Sequence, residues 1–212
     1  MKNEVDRIDG MDEVETVKQP MTFFRKLLLF LGLPLYALDQ VTKWWIVFHL
    51  PEPERGTHSS WEYIPVSEGW FHISRVHNQG VAFGMGNGTA WAPVVFLVVP
   101  LVAMALIRLF WKKGVFNNAL SQIAVVLLLT GIFGNLTDRL TQGSQLSYLK
   151  DASFWERLSA GYVVDFISVK LPFYDKLVPS SGGWWPSFNV ADSCICIAAT
   201  LLFISGLREP KK

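Results

Sequence analysis

Four long apolar runs constrain this chain more than any other feature of its sequence. They cover residues 27–48, 90–111, 119–138 and 188–207. A helix of about 22 residues, as in the first run, spans the hydrocarbon layer of a bilayer, which is about 30 Å thick. Half of the residues are hydrophobic and the mean hydropathy is +0.28, more apolar than expected for a water-soluble domain. The pattern predicts an α-helical polytopic membrane protein with four transmembrane helices.

Basic residues indicate how these helices are oriented. Lysines and arginines gather before the first run, between the second and third runs, and after the fourth. Cytoplasmic segments carry an excess of positive charge, so both termini are predicted to be cytoplasmic. Residues 1–22 are then a disordered tail and residues 209–212 a second tail, on either side of a membrane domain at residues 23–208. The loops 49–89 and 139–187 lie on the outer face.

A small extramembrane β-rich cradle is predicted from these outer loops. Residues 70–76 alternate in the manner of a strand, which predicts a strand pair in the first loop. Residues 161–170 in the second loop have the same character and carry Asp165. The tryptophans of this loop, Trp155, Trp184 and Trp185, are typical of a membrane interface.

Ionisable and amide side chains fall at the outer end of the predicted helices and in the outer loops. Such residues are costly inside a membrane and usually mark a functional site. Asp39 and Lys43 are four residues apart and can pair on one helical face. Gly131 and Gly134 are three apart in the third run and allow a neighbouring helix to approach closely. One shared site is therefore expected on the outer face, formed by residues Asp39, Lys43, Asn78, Asn135, Asp138, Arg139, Asp165 and Asp192.

Asp192 lies about five residues inside the fourth apolar run, and Asp165 is the other aspartate that is flanked by apolar residues. Two carboxylates held close together share a proton, because like charges raise one pKa. The ionised member can activate a water while the protonated member polarises a carbonyl, as in aspartic proteases.

Other chemistries find little support in the sequence. The four histidines form no H-E-x-x-H motif, and no G-x-S-x-G or P-loop is present. Cys194 and Cys196 are two residues apart, so a helix turns them to different sides, and both are interpreted as packing residues. With a net charge of +1 and no basic stripe, a nucleic-acid partner is not expected. No metal or other cofactor is expected.

Five motifs, in this order, resemble those of the lipoprotein signal peptidases, the signal peptidase II family. They are Asp39-Gln40-Val41-Thr42-Lys43, Asn78-Gln79-Gly80-Val81-Ala82-Phe83, residues 131–139 (GIFGNLTDR), Val163-Val164-Asp165-Phe166 and Phe188-Asn189-Val190-Ala191-Asp192. Members of this family are four-span aspartic endopeptidases of the bacterial inner membrane. They remove the signal peptide from diacylglyceryl-modified prolipoproteins at the periplasmic face. The resemblance covers roughly residues 27–207.

This resemblance implies a role for each matching residue. The catalytic pair falls on Asp165 and Asp192. Membrane lipid, lipid-modified prolipoproteins and a globomycin-type inhibitor are the implied partners. The substrate-binding residues are Asn78, Asn135, Arg139 and Asn189, and the supports of the site are Asp39, Lys43 and Asp138.

Three interpretations stay open at this point. A small transporter or channel using intramembrane Asp and Lys is the main alternative function, and a non-catalytic membrane scaffold is another. Arg139 also fits a snorkelling interfacial arginine. Residues 140–162 form a longer link than the family usually has, and residues 151–158 within it suit a lid, an interfacial helix or a simple insertion.

Overall fold

The computed structural model describes residues 19–80 and 92–208. Its helices are α1 (Gln19–Leu27), α2 (Leu33–His49), α3 (Ala92–Lys112), α4 (Ala119–Thr141), the short α5 (Phe154–Ser159) and α6 (Tyr174–Leu177), and α7 (Val190–Arg208). The predicted amino-terminal tail up to residue 18, the carboxy-terminal tail and residues 81–83 of the second motif lie outside the described residues.

Three helices among the described residues are long and apolar enough to cross a membrane, namely α3, α4 and α7. A multi-pass membrane protein is thus confirmed, although the predicted count of four spans is not. The first apolar run differs because it is not one uninterrupted α-helix. A π-helical segment, Leu28–Gly32, separates α1 from α2, which has 17 residues.

The π segment ends two residues before Pro34, a residue type that kinks or breaks a regular α-helix. Proline has no N–H, and its ring would collide with the carbonyl four residues earlier in a regular α-helix. The backbone stays helical at both joints, with φ −61° at Leu27 and −63° at Leu33. The helix therefore continues through the proline by widening one turn.

Helix α4 lies at the centre of the bundle and packs most extensively against α7. Gly131 and Gly134 make this close approach possible. A Cβ atom at Gly131 would lie 2.5 Å from the backbone oxygen of Ala191. One at Gly134 would lie 2.6 Å from Asp39 Oδ2. The two glycines thus bring α7 and α2 against the same stretch of α4.

The predicted β cradle is a three-stranded antiparallel sheet of order β1 (Ser59–Ser67), β2 (Phe71–Asn78) and β3 (Val163–Val169). In the register of β2 and β3, Val76 pairs with Asp165 and Asn78 with Val163. Strand β1 pairs with β2 and also lies in the first loop, where it begins at the end of a stretch rich in Pro, Glu and Ser, residues 50–60. The sheet thus brings the second motif beside the strand that carries Asp165.

Arg75 attaches the sheet to the carboxyl end of α2. Its buried guanidinium donates from Nη1 to the backbone oxygens of Val47 and Leu50, both at 3.1 Å, which caps the helix. Burial, together with the charge of Arg75, lowers the pKa of His77 to about 2. The neutral ring can then accept a hydrogen bond from Arg75 Nε and stack on Tyr162.

Gly131→Ala should destabilise the bundle, because the new methyl group would collide with the backbone oxygen of Ala191 in α7 as well as with the Ile195 side chain. Overpacking of this kind typically costs about 1–3 kcal/mol. Thermal unfolding in detergent measures the loss.

Gly206→Ala is the matched control, since Gly206 is also helical but has no neighbour within 4 Å of its Cβ position. That change should be neutral or stabilise the helix by up to about 1 kcal/mol. An equal effect at both glycines would contradict the close α4–α7 approach.

Candidate active site

Asp165 lies in β3 and is almost completely buried, with 2% of its surface exposed. Its Oδ2 accepts a hydrogen bond from Asn78 Nδ2 (3.0 Å), and its Oδ1 accepts one from Asn189 Nδ2 (2.7 Å). Burial, and then the charge of Asp192, raise the pKa of Asp165 well above its ordinary value. This carboxyl is therefore suited to hold a proton.

Asp192 lies in the first turn of α7 and is partly exposed. Its backbone N–H donates to Asn189 Oδ1 (2.9 Å), while its Oδ2 accepts from the backbone N–H of Asn189 (3.2 Å). This reciprocal arrangement is a capping box, which follows from the Asn-x-x-Asp spacing. The helix N-terminus also favours a negative charge at this position.

Two asparagine amides connect the carboxylates. Asn189 Nδ2 donates to Asp165 and also lies 3.2 Å from Asn135 Oδ1. Asn135 Nδ2 donates in turn to Asp192 Oδ1 at 2.8 Å. Asn189 is fully buried, so its amide holds the two aspartates in place from within the protein.

The ammonium group of Lys43 lies between Asp39 and Asp138, and all three side chains are fully buried. Its Nζ is 2.9 Å from Asp39 Oδ2 and 3.0 Å from Asp138 Oδ2. It also donates to Asn135 Oδ1 at 2.9 Å. Each of the three ammonium protons thus has an acceptor. We refer to Asp39, Lys43 and Asp138 as the ionic clamp.

The clamp also holds the backbone beside each candidate catalytic residue. Asp39 Oδ1 accepts the backbone N–H of Ala191, which precedes Asp192 (2.8 Å). Asp138 Oδ2 accepts the backbone N–H of Val164, which precedes Asp165 (3.0 Å). One ion-pair network therefore sets the position of both aspartates.

Gln40 is a member of this network that the sequence analysis did not single out. Its Nε2 lies 3.1 Å from Asp39 Oδ2 and 3.2 Å from both Asp138 Oδ1 and the backbone oxygen of Gly134. An amide beside a carboxylate within an apolar run is the sequence signal that could have revealed it. Gln40 thereby ties α2 to α4 independently of charge.

Arg139 and Asn78 meet at Gly80. Arg139 Nη2 donates to the Gly80 carbonyl (2.9 Å), and Asn78 Oδ1 accepts the Gly80 N–H (3.0 Å). The guanidinium also lies over the ring of Phe96, 4.2 Å from its centroid. The structure therefore brings together all of the residues that the sequence marked, with Arg139 connected through Gly80. Within residues 19–80 and 92–208, no group of three His, Cys, Asp or Glu side chains is arranged to hold a metal ion.

The sequence model of signal peptidase (SPase) II matches residues 31–208. The chain belongs to the signal peptidase II family. This confirms the resemblance that the five motifs indicated, and the match spans all of the elements that build the site.

Curated relatives agree with this membership. The lipoprotein signal peptidase of Geobacter sulfurreducens is 30% identical over 176 residues, which cover 83% of this chain and 88% of that relative. The lipoprotein signal peptidase of Symbiobacterium thermophilum is 30% identical over 186 residues, covering 88% and 97%. That of Syntrophus aciditrophicus is 29% identical over 198 residues, covering 92% and 99%.

Two solved structures of bacterial membrane enzymes share the fold of this family member. One has a TM-score of 0.62 at 23% identity and covers 87% of this chain and 92% of its own. The other has a TM-score of 0.60 at 24% identity, covering 86% and 93%.

Lys43→Met should destabilise the protein, because two buried carboxylates would lose their counter-charge. Breaking a buried ion pair by removing one partner costs about 3–5 kcal/mol. We expect a lower yield of folded protein and a lower unfolding temperature in detergent, while the turnover per folded molecule falls less.

Lys150→Met is the control, since Lys150 is exposed in the link between α4 and β3 and lies outside the clamp. A Lys43→Met protein of normal stability that has no activity would refute the supporting role and assign Lys43 to the reaction itself.

Proposed function

We propose that this chain is a membrane aspartic endopeptidase that removes the signal peptide from diacylglyceryl-modified prolipoproteins. The observation that carries the proposal is the pair Asp165 and Asp192, held through shared asparagine amides beside membrane-crossing helices. Family membership supports the substrate class, because relatives at about 30% identity are lipoprotein signal peptidases.

Asp165 and Asp192, which we call the dyad, have distinct roles in the proposed reaction. Asp165, with its raised pKa, holds the proton, whereas Asp192 at the helix N-terminus acts as the ionised base. Asp192 takes a proton from water, whose oxygen attacks the scissile carbonyl carbon, and Asp165 protonates the carbonyl oxygen. The tetrahedral intermediate then collapses as its hydroxyl returns the proton to Asp165. The C–N bond breaks, and Asp192 protonates the departing amine.

The surrounding polar residues divide into two groups in this proposal. Asn78, Asn135 and Arg139 are partly exposed and line the path of the peptide near the dyad. Asn189, for which the resemblance implied substrate binding, is fully buried like the ionic clamp, and in this proposal both keep the two carboxyl groups in place. Substrate contact therefore falls to residues that already border the two aspartates.

The proposed topology has four spans. The first is the helical run through α1, the π segment and α2, whose backbone is continuous. Arg25, Lys26, Lys112 and Arg208 then lie on the cytoplasmic side, with both termini. The sheet and the dyad face the periplasmic side of the bacterial inner membrane. The lipidated precursor reaches the site from the surrounding membrane lipid, and a globomycin-type inhibitor competes with the precursor.

Asp165→Asn and Asp192→Asn should each abolish cleavage, because either change removes one half of the acid–base pair. Both proteins should still fold, since the amide is close in size to the carboxyl group. The assay uses purified protein in bilayers with a diacylglyceryl-modified precursor, and a parallel sample contains a chelator, since the proposed reaction involves no metal.

Asp175→Asn is the control, because Asp175 is exposed on α6 in the same outer loop. It should cleave at the normal rate. Substantial cleavage by either variant would refute the assignment of Asp165 and Asp192 as the catalytic pair. Processing of precursor without lipid would refute the proposed substrate class, and full activity with globomycin present would refute the proposed inhibitor.

The pH dependence follows from the raised pKa of Asp165. Because its protonated form is the proton donor, activity should fall as pH rises through that pKa, by roughly tenfold per pH unit beyond it. Cleavage rates at limiting substrate, measured across the pH range in which the protein stays folded, test this.

The free energy of unfolding should also depend on the ionisation of Asp165, and it should decrease as pH rises. The folded state holds the Asp165 proton at pH values where the unfolded chain has already released it, so folding becomes less favourable as pH rises. In Asp165→Asn this contribution is absent, and the unfolding temperature should decline less toward alkaline pH. Identical profiles in the two proteins would contradict the buried, protonated state.

A further inference from the structure

The link between α4 and β3 is a folded insert rather than a loose loop. It contains two 3₁₀ turns, Gln142–Gln145 and Ser147–Leu149, followed by α5. Two glycines allow close backbone contacts, one within the insert and one between the insert and α4. A Cβ atom at Gly143 would collide with the backbone oxygen of Arg157, and one at Gly161 with that of Arg139. The insert is therefore fixed beside the outer end of α4.

Helix α5 holds two large aromatic side chains outward. Phe154 is 68% exposed and Trp155 is 73% exposed. Their rings pack edge to face, with centroids 5.3 Å apart. A capping box of Ser153 and Glu156 fixes the start of the helix just before them. The aromatic pair is thus presented on a rigid element, although water would favour its burial.

The position of α5 indicates what covers this pair. The helix contacts both α3 and α4. The apolar stretch that is suited to span a membrane runs through α4 and the first 3₁₀ turn of the insert, to Gln145. Near the outer end of α3, Val98 and Val99 are exposed as lipid-facing residues are. The aromatic pair therefore continues the lipid-facing surface of the bundle at its outer edge, where Trp is enriched in membrane proteins.

We propose that α5 is an interfacial anchor, with Phe154 and Trp155 inserted at the boundary of headgroups and acyl chains in the outer leaflet. The partner is phospholipid, and the site is separate from the dyad. Of the three roles open for residues 151–158, this selects the interfacial helix. Because Gly161 contacts the backbone of Arg139, the anchor also holds the outer end of α4 at a set depth.

Site-specific photocrosslinking tests the contact. Phe154→benzoylphenylalanine is made in the full chain, reconstituted into phosphatidylethanolamine and phosphatidylglycerol bilayers, and irradiated. Mass spectrometry should find a phospholipid adduct. Asp151→benzoylphenylalanine is the control, because Asp151 is exposed in the same insert but is polar. We expect roughly fivefold less lipid adduct there, as for a residue that stays in water.

Every other outcome overturns the anchor. A crosslinked dimer would make α5 an interface between copies, and an adduct with added precursor would make it a lid. Equal lipid adducts at residues 154 and 151, or none at 154, would show no specific insertion. This readout does not depend on catalysis, so the failure of the proposed protease activity would leave it intact.

A second measurement, which rests on the proposed function, concerns activity. Phe154→Ser combined with Trp155→Ser should reduce cleavage several-fold in bilayers while leaving cleavage in detergent micelles unchanged, because only a planar bilayer sets the depth of α4. Equal rates of the variant and the unchanged protein in bilayers would contradict the anchor, as would an equal loss in both media.

Discussion

The contact of the Lys43 ammonium group with Asp39 and Asp138 is the interaction on which the rest of the structure depends. Three buried charges are costly unless every donor and acceptor has a partner. Here α2, α4, the start of α7 and the start of β3 supply those partners. The helices and the sheet must therefore assemble together, and the same contacts set the backbone before Asp165 and Asp192.

The two aspartates show how position can separate the roles of two identical side chains. Asp165 points from a strand into a buried, apolar environment, where its neutral form is favoured. Asp192 caps its own helix and is partly exposed, so water and the helix N-terminus make its charged form less costly than that of Asp165. Their shared amides keep them in one geometry. In the proposed reaction, the difference in environment makes one carboxyl group the proton donor and the other the base, so that neither a metal nor a covalent nucleophile takes part.

The sequence predicted the features that depend on hydropathy or on local motifs. Helices α4 and α7 and strand β3 follow from long apolar runs and an apolar strand pattern, and the polar residues near the carboxyl end of α4 and the amino end of α7 do converge. Strand β1 carries no such signal, because nearly all of its residues are exposed and buried and exposed residues do not alternate along it. The π segment was not foreseen either, since it arises from accommodating Pro34. Gln40 was missed because two of its three partners, the Gly134 carbonyl and the Asp138 carboxylate, come from another helix.

Small residues at the centre of the bundle are a requirement of the ionic clamp as well as of helix packing. A methyl group at Gly134 would enter the space of Asp39 Oδ2 and lie 3.0 Å from the Cβ atom of Ala191. Asp39 would have to leave the position in which it accepts the backbone N–H of Ala191 and contacts Lys43, which would weaken the connection of the helix that carries Asp192 to the clamp. The absence of a side chain at residue 134 thus permits a charged network to form inside an apolar bundle.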